Sequence, residues 1–368
     1  MSERMSARVS DALSRSGSRA VHICLYGAGA IGGSIAARLH AAGNSVSVIA
    51  RGAHAAAIRE RGLTLIAGET RIVARVRCVD DPAELPPQDL VVVAVKGQQL
   101  PAIAAPLGRL VESGAYVVFA MNGILWWFGD GLPTGLPADL SRSLAEALDP
   151  AGELRRRVPA DRIIGAVVNS SNEMVEPGVI LNTVARNRFV FGAAHPGSAQ
   201  AVAAVSGIAA VFARAGYEAS VAANIRQEVW NKLTLYIGVA PVAALTHCAL
   251  DQLIADPAAY AMMAGLMRET IAIGAALDFE HPGDVDSQIG RFRDSPTRPS
   301  MLQDFERGRE AELAGSILAV EAIAKALGVD APRIAMVATL LRLKAAGIGR
   351  AEREPPSNRK RHDADVPS

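Results

Sequence analysis

Near its start the chain reads Val21-His22-Ile23-Cys24-Leu25-Tyr26, then Gly27-Ala28-Gly29-Ala30-Ile31-Gly32, then an alanine-rich helical pattern over Ser34–Ala42. An apolar run, a glycine turn and a helix in that order predict a strand feeding a helix, the opening unit of a parallel sheet. Gly27, Gly29 and Gly32 hold G-x-G-x-x-G spacing. The first glycine permits the tight turn, the second lets a pyrophosphate approach the backbone, and the third lets helix pack on strand. The helix start then offers free N–H groups and a positive dipole end to an anion. A dinucleotide site is the functional expectation; a glycine turn in some other α/β protein is the plain alternative.

The next strand, Asn44–Ile49, separates two cofactors. A site for NAD carries an acid about 20 residues past the glycines, bonded to the ribose 2′-hydroxyl. Here Ala50-Arg51-Gly52 follows, and no acid appears before Glu60. A carboxylate would repel a 2′-phosphate, whereas the Arg51 guanidinium can pair with one. NADP(H) is therefore expected over NAD(H), with a solvated Arg51 as the alternative.

Beyond this, β and α patterns alternate. Helix is expected over Ala53–Arg61 and Leu100–Val111, and strand over Leu63–Ile66, Arg71–Cys78, Asp89–Val95, Tyr116–Ala120, Ile163–Val168, Val179–Leu181 and Arg188–Phe191. The unbroken valines near 91–95 suit a parallel strand covered on both faces. Ala199–Ala215 is helical. From Asn224 onward the spacing is helical: Ile225–Thr246, Pro257–Ala276, Glu310–Leu327 and Pro332–Ala346. The fold class is thus α/β, a Rossmann-like doubly wound sheet followed by an all-helical C-terminal domain. We expect a disordered extension at 1–20, an NADP-binding domain at 21–221, a helical substrate or dimerisation domain at 222–347 and a disordered tail at 348–368.

The 368 residues are 50% apolar and 20% charged, with formal net charge +1. A sizeable core is available, and no basic footprint for nucleic acid is present. Cys24, Cys78 and Cys248 are scattered and odd in number, which argues against a disulfide framework or zinc site and fits a reducing cytoplasm. No apolar run reaches the 18 or more residues of a membrane span.

Ligands in such sheets sit beyond the carboxyl ends of the strands. Lys96 and Asn122-Gly123 end two strands there. On the Ile225–Thr246 pattern, Lys232, Tyr236 and Ala240 share one face, and Pro241 is expected to kink the helix. Trp126-Trp127-Phe128 opens a Gly/Pro-rich connection to Pro159, read as local packing ahead of a lid or subunit contact. Asp278, Glu280, His281, Asp284 and Asp286 read as loop acids rather than a metal cluster. His22, His54, His195 and His247 lack partner patterns, so no triad is proposed.

Taken together, Gly27-Ala-Gly-Ala-Ile-Gly, Val95-Lys-Gly-Gln-Gln, Met121-Asn-Gly, Glu176-Pro-Gly, Trp230-Asn-Lys-Leu and Ser300-Met-Leu-Gln-Asp followed by Glu312 resemble the ketopantoate reductases, over roughly residues 21–345. The resemblance implies NADPH-dependent reduction of a 2-oxo acid to a 2-hydroxy acid, 2-dehydropantoate to pantoate in pantothenate biosynthesis, between two domains. It implies Lys232 as proton donor, Asn122 and Ser300 at the substrate, and Lys96, Asn122 and Glu312 at the cofactor, with no metal. The glycine turn and the second strand add Gly27, Ala28, Gly29, Ala30, Ile31, Gly32 and Arg51 as expected cofactor residues, and the Tyr236 hydroxyl is expected at the substrate in place of a family asparagine. The partners are a small 2-oxo acid and, compatibly, a second copy of the chain; nucleic acid and membrane are not expected. The family's asparagines one and two helical turns after the lysine are replaced by Tyr236 and Ala240. Two alternatives therefore stand: a relative that reduces another 2-oxo acid or carbonyl, and an NADP-binding sensor or scaffold without catalysis.

Overall fold

The computed structural model describes residues 21–132, 136–137 and 140–351. The expected extension at 1–20 and residues 352–368 of the expected tail lie outside the described residues.

Strands β1 (His22–Tyr26) and β2 (Ser45–Ile49) flank helix α1 (Ala30–Ala41), and α2 (Gly52–Arg61) follows. Next come β3 (Leu63–Ala67), β4 (Thr70–Ala74), β5 (Arg77–Val79), β6 (Leu90–Val93), α3 (Leu100–Glu112) and β7 (Tyr116–Phe119). Then α4 (Leu140–Leu148), α5 (Glu153–Arg157), β8 (Ile163–Asn169), β9 (Asn172–Glu176), β10 (Val179–Asn182), β11 (Arg188–Ala193), α6 (Ala199–Arg214) and β12 (Glu218–Val221) complete the strand-bearing part. The main sheet runs β12-β11-β8-β7-β6-β1-β2-β5. On one side β1 pairs in parallel with β2 (Ile23↔Val46), and on the other with β6 (Ile23↔Leu90). The strand order therefore reverses at β1, and a crevice opens beyond its carboxyl end.

Alternate residues of β1 and β6 point to opposite faces. Ile23, Leu25 and Val92 enter a core closed by α1 and α6, while Cys24, Tyr26, Val91 and Val93 enter a second core. Both faces are covered, so these strands carry no polar alternation. The second core continues without a break into α7 (Ile225–Thr246), α9 (Pro257–Ala276) and α12 (Ala319–Leu327). Around them stand α8 (Leu250–Ala255), α10 (Val285–Gly290), α11 (Ser300–Glu306) and α13 (Pro332–Ala351). Among the described residues every strand ends by Val221, and no helix is long and apolar enough to cross a membrane.

The structure departs from the sequence pattern in several places. The sheet is not wholly parallel: β11 runs antiparallel to β8, turned by the short polar connection before it. A second, four-stranded sheet, β4-β3-β10-β9, stands apart, with β10 parallel to β3 (Leu65↔Ile180). The 310–327 segment becomes helical only at Ala314, through a π-turn over Ala314–Leu318 that leads into α12. Finally, α13 continues to Ala351 rather than stopping at Ala346.

Candidate active site

The glycine turn is steric as well as conformational. Gly27 has φ +96°, and a Cβ there would lie 2.8 Å from Val95 Cγ1. At Gly32 a Cβ would lie 1.9 Å from the Gly27 carbonyl oxygen, so α1 packs directly on the turn. Gly29 is different: a Cβ there would meet nothing within 4 Å. Packing within the protein does not require that glycine, and the space beside it opens into the cleft. No acid sits in the first turn of α1 to offset its positive end. Arg51, exposed at the rim, precedes α2, and among the described residues it makes no ion pair. These features fit a dinucleotide diphosphate, and a cation stands free beside the expected ribose.

From the turn a cleft of roughly 1670 Å³ runs between the sheet ends and the C-terminal helices. Gly27, Ala28, Gly29, Ala30, Ile31, Arg51, Lys96, Asn122, Lys232, Tyr236, Ser300 and Glu312 all line it. Gly32 alone among the expected site residues does not; it is buried beneath the turn.

Lys232 reaches the cleft from the second turn of α7, whose start is capped by the Asn224 side chain accepting from the Arg226 and Gln227 N–H groups. Its Nζ donates to Asn122 Oδ1 at 2.9 Å and to the Val168 carbonyl at 2.5 Å. An ammonium has three donors, so one remains for a ligand. Burial pulls the Lys232 pKa down to about 8, against the raising pull of the Glu312 carboxylate. Beside Asn122 lies Glu312, whose own pKa is raised by burial and held back by the Gly97 N–H, Lys96 and Asn122. Lys232, Asn122 and Glu312 thus stand in one row.

A loop from the sheet side meets the helical side beside this row. Lys96 pairs with Asp304 at 2.5 Å, Gly97 N–H donates to Glu312 Oε1 at 3.1 Å, and Gln98 donates to the Glu310 carbonyl at 3.1 Å. These bonds hold 310–312 out of helical geometry and account for the late start of the helix there. At the floor, two backbones touch: Ile124 N–H donates to the Gly315 carbonyl at 2.7 Å, and a Cβ on Gly123 would lie 2.3 Å from that oxygen.

One turn past Lys232, Tyr236 stands beside Ser300, and burial pushes its hydroxyl pKa up. Ala240 does not continue this face into the cleft. It is fully buried in the core, so the expected three-residue stripe ends at Tyr236.

The family models agree with this layout. "Ketopantoate reductase PanE/ApbA" matches residues 23–125, and "Ketopantoate reductase PanE/ApbA C terminal" matches residues 224–345. A 2-dehydropantoate 2-reductase from Mesorhizobium japonicum is 36% identical over 329 residues, covering 89% of this chain and 98% of the relative. The chain belongs to the ketopantoate reductase family. It is an NAD(P)-dependent oxidoreductase of that family. A crystal structure from Ralstonia solanacearum MolK2, described as a ketopantoate reductase, superposes with TM-score 0.80 at 33% identity, over 90% of this chain and 99% of that one. D-mandelate dehydrogenase with NADH and anilino(oxo)acetate shares the fold, with TM-score 0.74 at 20% identity, over 89% of this chain and 99% of the other.

Three parts of this ketopantoate reductase site went unread in the sequence. Asp304, the partner of Lys96, closes the Ser300-Met-Leu-Gln-Asp304 motif and was legible there as a charge facing a lysine. The Val168 carbonyl carries no residue signature at all. The approach of Tyr236 to Ser300 depends on two helices far apart in sequence. Trp126, Trp127 and Phe128 are buried packing, not a lid, and Arg226 holds them by donating to the Phe128 and Trp127 carbonyls at 2.7 and 2.8 Å. Of the acidic loop residues, Asp284 caps α10 and Asp286 accepts from the Tyr260 hydroxyl.

Proposed function

We propose that this family member reduces a 2-oxo acid to a 2-hydroxy acid with NADPH, and that 2-dehydropantoate is its first candidate substrate. The observation that carries this reading is the half-buried Lys232 ammonium, bonded to Asn122 with one donor left over, at the floor of a cleft that begins at the glycine turn. The M. japonicum relative, a 2-dehydropantoate 2-reductase by name, supports the same substrate.

The roles follow from the residues. The reduced nicotinamide, when bound, supplies the hydride. Lys232 faces the carbonyl oxygen, stabilises the negative charge that develops there and hands over its proton. Asn122 orients Lys232 through Oδ1 and stands beside the substrate and ribose. Glu312 holds Asn122 and keeps the ammonium charged in a dry site. Ser300 takes the substrate carboxylate, with Tyr236 set against it. Gly27–Ile31, with Gly32 packed beneath, cradle the diphosphate. Lys96 stands at the cofactor edge, and Arg51 pairs with the 2′-phosphate, which is the ground for NADPH over NADH. Residues 21–221 act as the cofactor domain and 222–347 as the substrate domain.

Following NADPH oxidation against a panel of 2-oxo acids tests this. Turnover on at least one acid, lost in Lys232→Ala, is expected. NADPH binding with no turnover on any acid would leave a sensor or scaffold instead.

A second substrate reading has its own support. Val239, Leu250 and Phe292 line the same cleft as Tyr236 and Ser300. That wall suits an apolar side chain better than a hydroxylated one, because a polar group buried there without a partner costs binding. Comparing 2-dehydropantoate with 3,3-dimethyl-2-oxobutanoate, which lacks only the 4-hydroxyl, separates the two. A higher kcat/KM on the second compound favours this reading.

A further inference from the structure

Glu176-Pro177-Gly178 has no part in the chemistry above, yet the structure ties it to the cofactor cradle. It forms the turn between β9 and β10 in the smaller sheet, with Gly178 at φ +86°, where side chains are disfavoured. The Gly178 N–H donates to His54 Nδ1 at 3.0 Å. The other ring nitrogen, His54 Nε2, lies 2.7 Å from the Ala28 carbonyl oxygen. A ring whose Nδ1 accepts carries its proton on Nε2, so one neutral tautomer satisfies both partners. The turn is anchored independently of the ring, by Thr64 N–H donating to the Gly178 carbonyl at 2.8 Å and Arg61 donating to the Pro177 carbonyl at 3.3 Å.

The consequence falls on the glycine cradle. A trans peptide is planar, and its C=O and N–H point to opposite sides. Fixing the Ala28 carbonyl on His54 fixes the direction of the Gly29 N–H, the donor at the glycine whose surroundings are open. His54 also lies three residues after Arg51, in the first turn of α2, and both line the cleft.

We propose that His54 is a positioning residue for the dinucleotide: a relay from the Glu176-Pro-Gly178 turn through the imidazole holds the Ala28–Gly29 peptide in its diphosphate-binding orientation. This rests on the cofactor reading above and adds a residue that touches the cradle, not the reacting atoms.

The test is NADPH affinity, by quenching of intrinsic or cofactor fluorescence, in wild type, His54→Ala, His54→Asn and His54→Gln, with thermal unfolding of each ligand-free variant as control. The Asn side chain can place an acceptor near the Nδ1 position but cannot reach Ala28. The Gln amide can place a donor near the Nε2 position. His54→Ala and His54→Asn should each weaken NADPH binding about tenfold, the size of one lost bond that leaves a polar group unpaired. His54→Gln should stay within about threefold of wild type. Equal losses in all three variants overturn the proposal, because the Ala28 contact is then not what counts. So do unchanged affinities, or losses that merely track a fall in ligand-free melting temperature. Wild type that binds no dinucleotide sinks the cofactor reading itself, whereas wild type that binds while the variants are indistinguishable from it sinks the His54 role alone.

Discussion

Lys232 leaves most of its water behind to reach the cleft floor, and that loss lowers its proton affinity to about 8. Reduction needs the ammonium form. Turnover should therefore be level below about pH 8 and fall about tenfold per unit above it, while the reverse oxidation, which needs the free amine, rises through the same range; a pH profile level to pH 10 would show that Lys232 is not the donor. Lys232→Ala should cut kcat by about 10²–10⁴ with NADPH affinity kept. At the rim, Arg51 has no competing carboxylate among the described residues. Arg51→Ala should weaken NADPH by about 10–100-fold, the range of a charge-assisted bond, and leave NADH nearly unaffected; equal losses for both cofactors count against the 2′-phosphate contact. Lys232 and Arg51 were legible in the sequence because each stands next to a local pattern, Trp230-Asn-Lys and the end of the second strand. The Val168 carbonyl and the approach of Tyr236 to Ser300 were not, since a backbone acceptor has no letter of its own and a meeting of distant helices is not written in either.

Among the elements, the glycine turn divides its labour in a way that substitution can expose. Gly29→Ala meets open space, so the ligand-free melting temperature should hold while NADPH affinity drops. Gly32→Ala drives a methyl into the Gly27 carbonyl. It should cost about 1–3 kcal/mol of stability as overpacking, and melting curves of the two variants check the contrast. The long helices were readable because their apolar spacing persists over several turns: α7 and α9 begin and end where the pattern placed them. The segment before α12 was not, because its helical spacing is overridden by bonds that Gly97 and Gln98 make to Glu312 and Glu310. Strands β9 and β12 escaped notice for a different reason. Both are short and largely solvent-facing, so neither carries the apolar signal that marked β6 or β7.

At the scale of the molecule, the sheet-then-helix order was visible as a change of period near residue 221. The pairing of β3 with β10 was not, since strands so far apart in sequence leave no local trace of their partnership. The core that runs from Val91 and Phe119 through Trp230 to Ile323 makes the two parts a single packed body. Cofactor binding should accordingly protect the whole chain, not only its first half. NADPH at 100 times its Kd should add about 2.7 kcal/mol to global stability, and hydrogen exchange should slow in α7 as well as in α1. Slowing confined to residues 21–221 would show the helical part to be uncoupled. The meeting of Gly123 with Gly315 then has a practical meaning for anyone recombining this fold. A side chain on Gly123 would displace the Gly315 main chain, and one on Gly315 would displace that of Ile124, so parents exchanged on either side of residue 221 are interchangeable only when both bring a glycine to that seam.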